Sequence, residues 1–97
     1  MNPQGSATEE QSGAHDQIPP IEILLTDIVA RMALAAHVYL GNEGSEGGAD
    51  LSSAEAAIDV AAAAFDRVKE RLQPQERLTI TQLLTETRLA FVKKRGL

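Results

Sequence analysis

Residues 51–72 read LSSAEAAIDVAAAAFDRVKERL, and this stretch decides the fold class. Leu51, Ala54, Ile58, Ala61, Phe65, Val68 and Leu72 follow one another at spacings of three and four, an unbroken heptad stripe. Such a period belongs to a helix with one buried face; apolar positions in a half-buried strand would alternate instead. The stripe covers three repeats, short for a coiled coil but suited to an antiparallel helix pair. Ala56, Ala57 and Ala61 to Ala64 favour helix intrinsically and let a neighbouring backbone come close. The helix starts at Asp50 or Ser52, and Ser52 with Glu55 has the pattern of a capping box.

Upstream, residues 41–49 read GNEGSEGGA, a flexible acidic loop. Before it, Ile21, Leu24, Leu25, Ile28, Met32, Ala35, Ala36 and Tyr39 recur with helical spacing and predict a helix over about 20–40 with those residues buried. Gly41 is expected to end it with a left-handed backbone. Ile23, Leu34 and Val38 fall roughly opposite that face, so this helix is apolar on more than one side. Residues 1–17 contain no apolar side chain larger than Met1 and cannot offset their ordering entropy. A disordered tail over residues 1–19 is expected, with Pro19-Pro20 marking the start of a helical domain spanning 20–97.

Downstream, the second helix is expected to run to about Leu72. Pro74 then suits the first position of a third helix, with Glu76 in its first turn and Gly96 after its end near Arg95. Ile80, Leu83, Leu84, Ala90 and Phe91 make one apolar face, and Leu78, Leu89 and Val92 a second on the far side. The expected architecture is all-α: a three-helix bundle, or a helical hairpin with a flanking helix, over about 20–40, 51–72 and 74–95. A lone bundle needs one buried stripe per helix. The first and third helices carry two each, which predicts a homo-oligomer, most simply a dimer. Ile23, Leu34, Val38, Leu78, Leu89 and Val92 are its expected interface. Arg88, between the two stripes of the third helix, is either a solvated or intrachain-paired arginine or an interface arginine facing a carboxylate such as Asp59.

Charge divides the chain. The net charge is −5, yet residues 1–66 hold eleven acids against Arg31 alone, and residues 67–97 hold eight bases against Glu70, Glu76 and Glu86. Arg67, Lys69, Arg71 and Arg77 gather around the second turn, and Lys93, Lys94 and Arg95 close the third helix. These bases are the candidate nucleic-acid contacts of an alternative reading, an RNA- or ribosome-associated factor. Against it, the two groups should lie at opposite ends of a bundle, no aromatic is free to stack on bases, and the pI is about 4.9. The more ordinary role of the last three is to complement a helix C-terminus.

The same inventory argues against catalysis. There is no cysteine, hence no disulfide, thiolate nucleophile or cysteine metal site, and a cytoplasmic location is expected. His15 falls in the tail, and His37 sits about half a turn from the expected core face of its helix, with no evident orienting partner for a general base. Residues 42–53 imitate a calcium loop with Gly47 in the sixth place, but Gly44 and Ser53 stand where acidic ligands are required. Glu43 and Glu46 would repel a phosphate. No signal peptide is legible at the N-terminus, and Glu22, Asp27, Arg31 and His37 weigh against a membrane span over residues 21–40. No enzyme activity, cofactor, metal or membrane association is expected, and another protein partner is possible.

Several motifs, taken in order, resemble a family of small bacterial proteins, the domain-of-unknown-function family 1844. They are Tyr39-Leu40-Gly41 at the end of an apolar helix, a glycine-containing acidic loop, Asp50-Leu51, Ala54 and Ile58-Asp59. Leu72, Pro74 and Glu76 follow, then Glu86-Thr87-Arg88-Leu89-Ala90-Phe91-Val92, which is similar to the family's Glu-Leu-Arg and aromatic-Val ending. The resemblance spans about Ile21 to Val92 and implies the helical fold without implying a chemistry. One departure stands out: where the family carries Lys-Thr-x-Gly-Asn, this chain has Arg67-Val68-Lys69-Glu70-Arg71, without glycine, so its second helix should continue for a further turn.

Overall fold

The computed structural model describes residues 17–41 and 48–96. They form α1 (Ile21–Leu40), α2 (Leu51–Val68), a 3₁₀ turn (Lys69–Arg71) and α3 (Pro74–Lys94), with no strand among the described residues. The chain is all-α, as the helical periods predict. The tail up to residue 16 and the loop from 42 to 47 lie outside the described residues.

Two contact clusters set the topology. Val29 of α1 packs with Ala61 and Ala64 of α2 and with Ile80 and Leu84 of α3. Ala36 packs with Ala57 and Ile58, flanked by Phe91. Rising numbers in α1 therefore meet falling numbers in α2 and rising numbers in α3, so α2 is antiparallel to both neighbours. Most of the packing joins α1 to α2, and α3 lies along one side of that hairpin.

The hairpin closes on small residues. Ala33 and Ala36 of α1 and Ala54, Ala57, Ala61 and Ala64 of α2 are all buried. This corrects the expected face of α1, because Ile21, Ile28 and Tyr39 are exposed while Val29, Ala33, Ala36 and Leu40 are buried. Leu24, Leu25, Met32 and Ala35 are only half-buried. The core face is turned by about one residue, roughly 100°. A pattern weighted by side-chain size follows the larger aliphatics, whereas close helix contact selects the alanines. In α2 the expected stripe holds from Leu51 to Val68, with Ala54, Ile58, Ala61 and Val68 buried and Leu51 and Phe65 half-buried; Leu72, also half-buried, lies beyond the helix. In α3, Ile80 and Leu84 are buried, Leu83, Ala90 and Phe91 are half-buried, and Thr87 joins the core at 1 % exposure.

Two helix ends differ from expectation, the C-terminal ends of α1 and α2. Asp50, one of the two expected starts of α2, caps it: its carboxylate accepts from the Ser53 amide at 3.1 Å and the Ser53 hydroxyl at 2.8 Å. With Leu51 already helical, Ser53 is the third residue of the helix, the position an N-cap side chain reaches. Gly41 has the expected positive φ of 78° but an extended ψ of 164°, a region open essentially to glycine alone. Finally, α2 stops at Val68 and tightens into the 3₁₀ turn, leaving Leu72 extended. Gln73, also extended, precedes Pro74, whose ring disfavours a helical residue before it. The Gln73 amide donates to Glu76 Oε1 at 3.2 Å, closing the first turn of α3.

Two expectations follow. Ala61→Leu, at a fully buried contact of α1 and α2, should cost about 1–3 kcal/mol by overpacking, whereas Ala63→Leu on the exposed side should be nearly neutral. Urea unfolding followed by circular dichroism separates the two. The hydrogen bonds from Ser53, side chain first and then backbone, hold the Asp50 carboxyl below the usual carboxylate range. A carboxyl whose pKa is depressed on folding contributes stability above its unfolded pKa and loses it as pH falls through the folded one. The difference in melting temperature between wild type and Asp50→Asn should therefore shrink on acidification, as thermal melts across the acidic range would show.

Candidate interaction surface

The six expected interface residues are all exposed, and they form two stripes. On α1, Ile23, Leu34 and Val38 are 58 %, 67 % and 68 % exposed. On α3, Leu78, Leu89 and Val92 are 51 %, 58 % and 36 % exposed. Each stripe lies across its helix from the core residues, Val29, Ala33, Ala36 and Leu40 in one case and Ile80, Leu84 and Thr87 in the other.

Surface relief differs between the two halves of the α1 stripe. Its first half borders a groove of about 420 Å³, where Ile23, Asp27 and Ala30 face Arg71, Leu72 and Glu76. Its second half, Leu34 and Val38, lines a depression of about 340 Å³ together with Arg31, Ala35 and Tyr39. Between the halves, Arg31 Nε donates to Asp27 Oδ2 at 2.7 Å, an exposed pair one turn apart. On the other flank, Tyr39 and Ala35 of α1 face Ser53, Ala56 and Val60 of α2 across an open groove. Residues that the sequence pattern had placed in the core thus contribute to the apolar surface.

The bases fall into two groups at opposite ends of the bundle. Arg71 lies 3.7 Å from Glu22 at the start of α1, and Lys93 and Lys94 share a groove with His37, Leu40 and Gly41 at its end, about 30 Å away for a helix of this length. Within the first group, Lys69 pairs with Asp66 at 3.0 Å and Arg77 with Glu70 at 3.8 Å, while Arg77 Nη1 also donates to the Lys69 carbonyl at 3.0 Å. Arg67 and Arg88 are exposed and in no ion pair among the described residues. The Arg95 guanidinium sits over the Phe91 ring, 5.3 Å from its centre.

His37 is exposed, yet it has a partner that sequence reasoning missed. Its Nε2 lies 3.1 Å from Thr87 Oγ1, and that hydroxyl donates to the Leu83 carbonyl at 2.8 Å. A hydroxyl has one proton to give. Thr87 therefore accepts from His37, and the ring carries its proton on Nε2. The pair ties α1 to α3 across the one buried polar position among the described residues. Among the described residues the adjoining groove adds Leu40, Gly41, Ala90 and the two lysines, and no carboxylate.

By length and composition α1 could cross a membrane, and only 22 % of its most apolar window is buried. The Asp27–Arg31 pair, however, occupies the middle of its outward face, where hydrocarbon would be costly for both charges. No family model, curated protein or solved structure matches the chain.

Because the bond to Thr87 needs a proton on His37 Nε2, long-range proton–nitrogen correlation spectra should show that nitrogen protonated, and Thr87→Val should remove the preference. The same variant should cost about 1 kcal/mol, the worth of one net hydrogen bond, in urea unfolding.

Proposed function

We propose that this chain is a non-catalytic helical interaction module that self-associates, using the outward aliphatic stripes of α1 and α3. One observation carries the reading: two helices whose inner faces are already committed to the bundle present further large aliphatics at helical spacing to solvent. Scattered exposed aliphatics are ordinary on a monomer; aligned stripes are the pattern that marks association surfaces. The small core favours the same reading. A single helical core of this size supplies only about 3–5 kcal/mol, and burying the stripes between copies adds stability by mass action. On this reading the protein is cytoplasmic, needs no cofactor and belongs with the family it resembles.

Nucleic-acid binding has weaker support. Its two basic groups lie at opposite ends of the bundle, and three of the four bases near the turn already face an acid.

Light scattering of the purified chain at neutral pH should report a dimer or larger species. Leu34→Glu combined with Leu89→Glu should give a monomer with unchanged helical circular dichroism, since both side chains are exposed and surface changes typically cost under about 0.5 kcal/mol. A monomeric unmodified chain overturns the proposal, as would salt-sensitive binding to RNA lost on neutralising Lys93, Lys94 and Arg95.

A further inference from the structure

We infer that a second copy seats on the side of the α1–α2 hairpin opposite α3, closing a four-helix core. The inference rests on the self-association just proposed and names its larger contact. One side of the hairpin carries α3, which takes the bond from His37 on Thr87 and lays Phe91 on the cluster that holds Ile58. Tyr39 and Val60, two positions on from His37 and Ile58, lie about 200° round their helices. They turn to the other side, where with Met32, Ala35, Ser53 and Ala56 they line an open groove of about 260 Å³ that no described residue of α3 borders. Ile21 and Ile28 continue the row along α1 at helical spacing, and both are exposed. This row is the α1 stripe whose period predicts burial, and its cover has to come from outside the chain. Residues 1–16 and 42–47 hold no aliphatic larger than Met1.

Shape selects a second hairpin as the cover. The row on α1 is large, with Ile21, Ile28, Met32 and Tyr39, whereas the row on α2 is a shelf of Ser53 and Ala56 beside Val60. A twofold axis running along the helices lays the large row of each copy over the shelf of the other. An axis across the helices would stack large on large and leave a gap along α2. The first arrangement is isologous, and every neighbouring pair of helices in it is antiparallel, as in an up-and-down bundle. Charge permits it: the groove carries no charged side chain, so copies of a chain with net charge −5 can meet there without setting acid against acid. Area suffices too. Two helices about 30 Å long and about 9 Å apart present a face of roughly 600 Å². Two such faces bury about 1,200 Å², the size at which specific interfaces begin, whereas a lone helix would leave one row open. Ala35 and Tyr39 also line the depression beside Leu34 and Val38, so the contact runs on into the outward stripe of α1.

Val60→Glu should weaken the dimer at least about tenfold in sedimentation equilibrium, with helical circular dichroism unchanged because Val60 is exposed. Leu89→Glu, on the far side of α3, should weaken it less. The chain has no cysteine, so engineered ones report the orientation without interference. In a mixture of Ala35→Cys and Ala56→Cys chains, mild oxidation should join unlike chains, large row to shelf. Ala35→Cys chains that join one another as readily would overturn this arrangement. If unmodified chains are monomeric, the contact and the self-association both fall. If they associate, yet Val60→Glu leaves them associated and Leu89→Glu dissociates them, the contact on this side is overturned while self-association stands.

Discussion

Close contact between α1 and α2 is the constraint on which the rest of this structure depends. Six alanines, Ala33, Ala36, Ala54, Ala57, Ala61 and Ala64, are buried where the two helices cross. Helices that meet on alanine gain many dispersion contacts along their backbones but bury little side-chain area per residue. The larger aliphatics must then go elsewhere. Val29, Leu40, Ile58, Val68, Ile80 and Leu84 are buried, and Leu25, Met32, Phe65 and Leu72 pack partly buried against the core. Six more, Ile23, Leu34, Val38, Leu78, Leu89 and Val92, stand outward on the far sides of α1 and α3. The exposed stripes are thus a consequence of how tightly the hairpin packs.

The third helix is held by less. It rests on Ile80, Leu84, Thr87 and the half-buried Phe91, and its threonines do not favour helix strongly. Thr79, Thr81 and Thr87 turn their hydroxyls back onto carbonyls one turn earlier, satisfying themselves within the helix. Thr87 accepts a second bond from His37, which fixes the register of α3 on α1 at one position. Arg77 ties the other end by its bond to the Lys69 carbonyl. With packing concentrated in the hairpin, α3 is the element whose local opening costs least, and a partner that covers it would change its protection most.

How much of this was legible beforehand can be traced residue by residue. The α2 stripe is legible from Leu51 to Val68, because among the large apolar side chains of that helix only Val60 stands off it. Its neighbours are apolar on two sides, and there periodicity alone identifies stripes without saying which one is buried. For α1 the pattern weights the larger residues, and the structure buries the adjacent, smaller ones. For α3 the pattern points to the face that is buried but omits Thr87, because a hydroxyl does not register as core. The Asp50 cap and the Ser52–Glu55 pattern compete within a few residues of one another, and the first helical residue decides between them. The His37–Thr87 bond joins positions fifty residues apart. Only the packing of α3 against α1 brings them together, and no local pattern announces it. The outward positions of Ile23, Leu34, Val38, Leu78, Leu89 and Val92 were legible, since each lies opposite residues that had to face inward.

The Asp27–Arg31 pair bears on both the fold and the proposed assembly, and its worth differs between them. As an exposed pair one turn apart it contributes only a few tenths of a kcal/mol to the helix. Its location is more informative than its strength. A stripe made only of aliphatics would accept a partner helix in either direction and at several registers, since hydrophobic contact is non-directional. Placing one acid and one base in the middle of the stripe removes that freedom. A partner that sets aliphatic side chains over Asp27 or Arg31 strips water from a charge, and a lipid environment leaves both desolvated. The charges in α1 therefore act chiefly through the arrangements they disfavour, and the aliphatics around them supply the attraction.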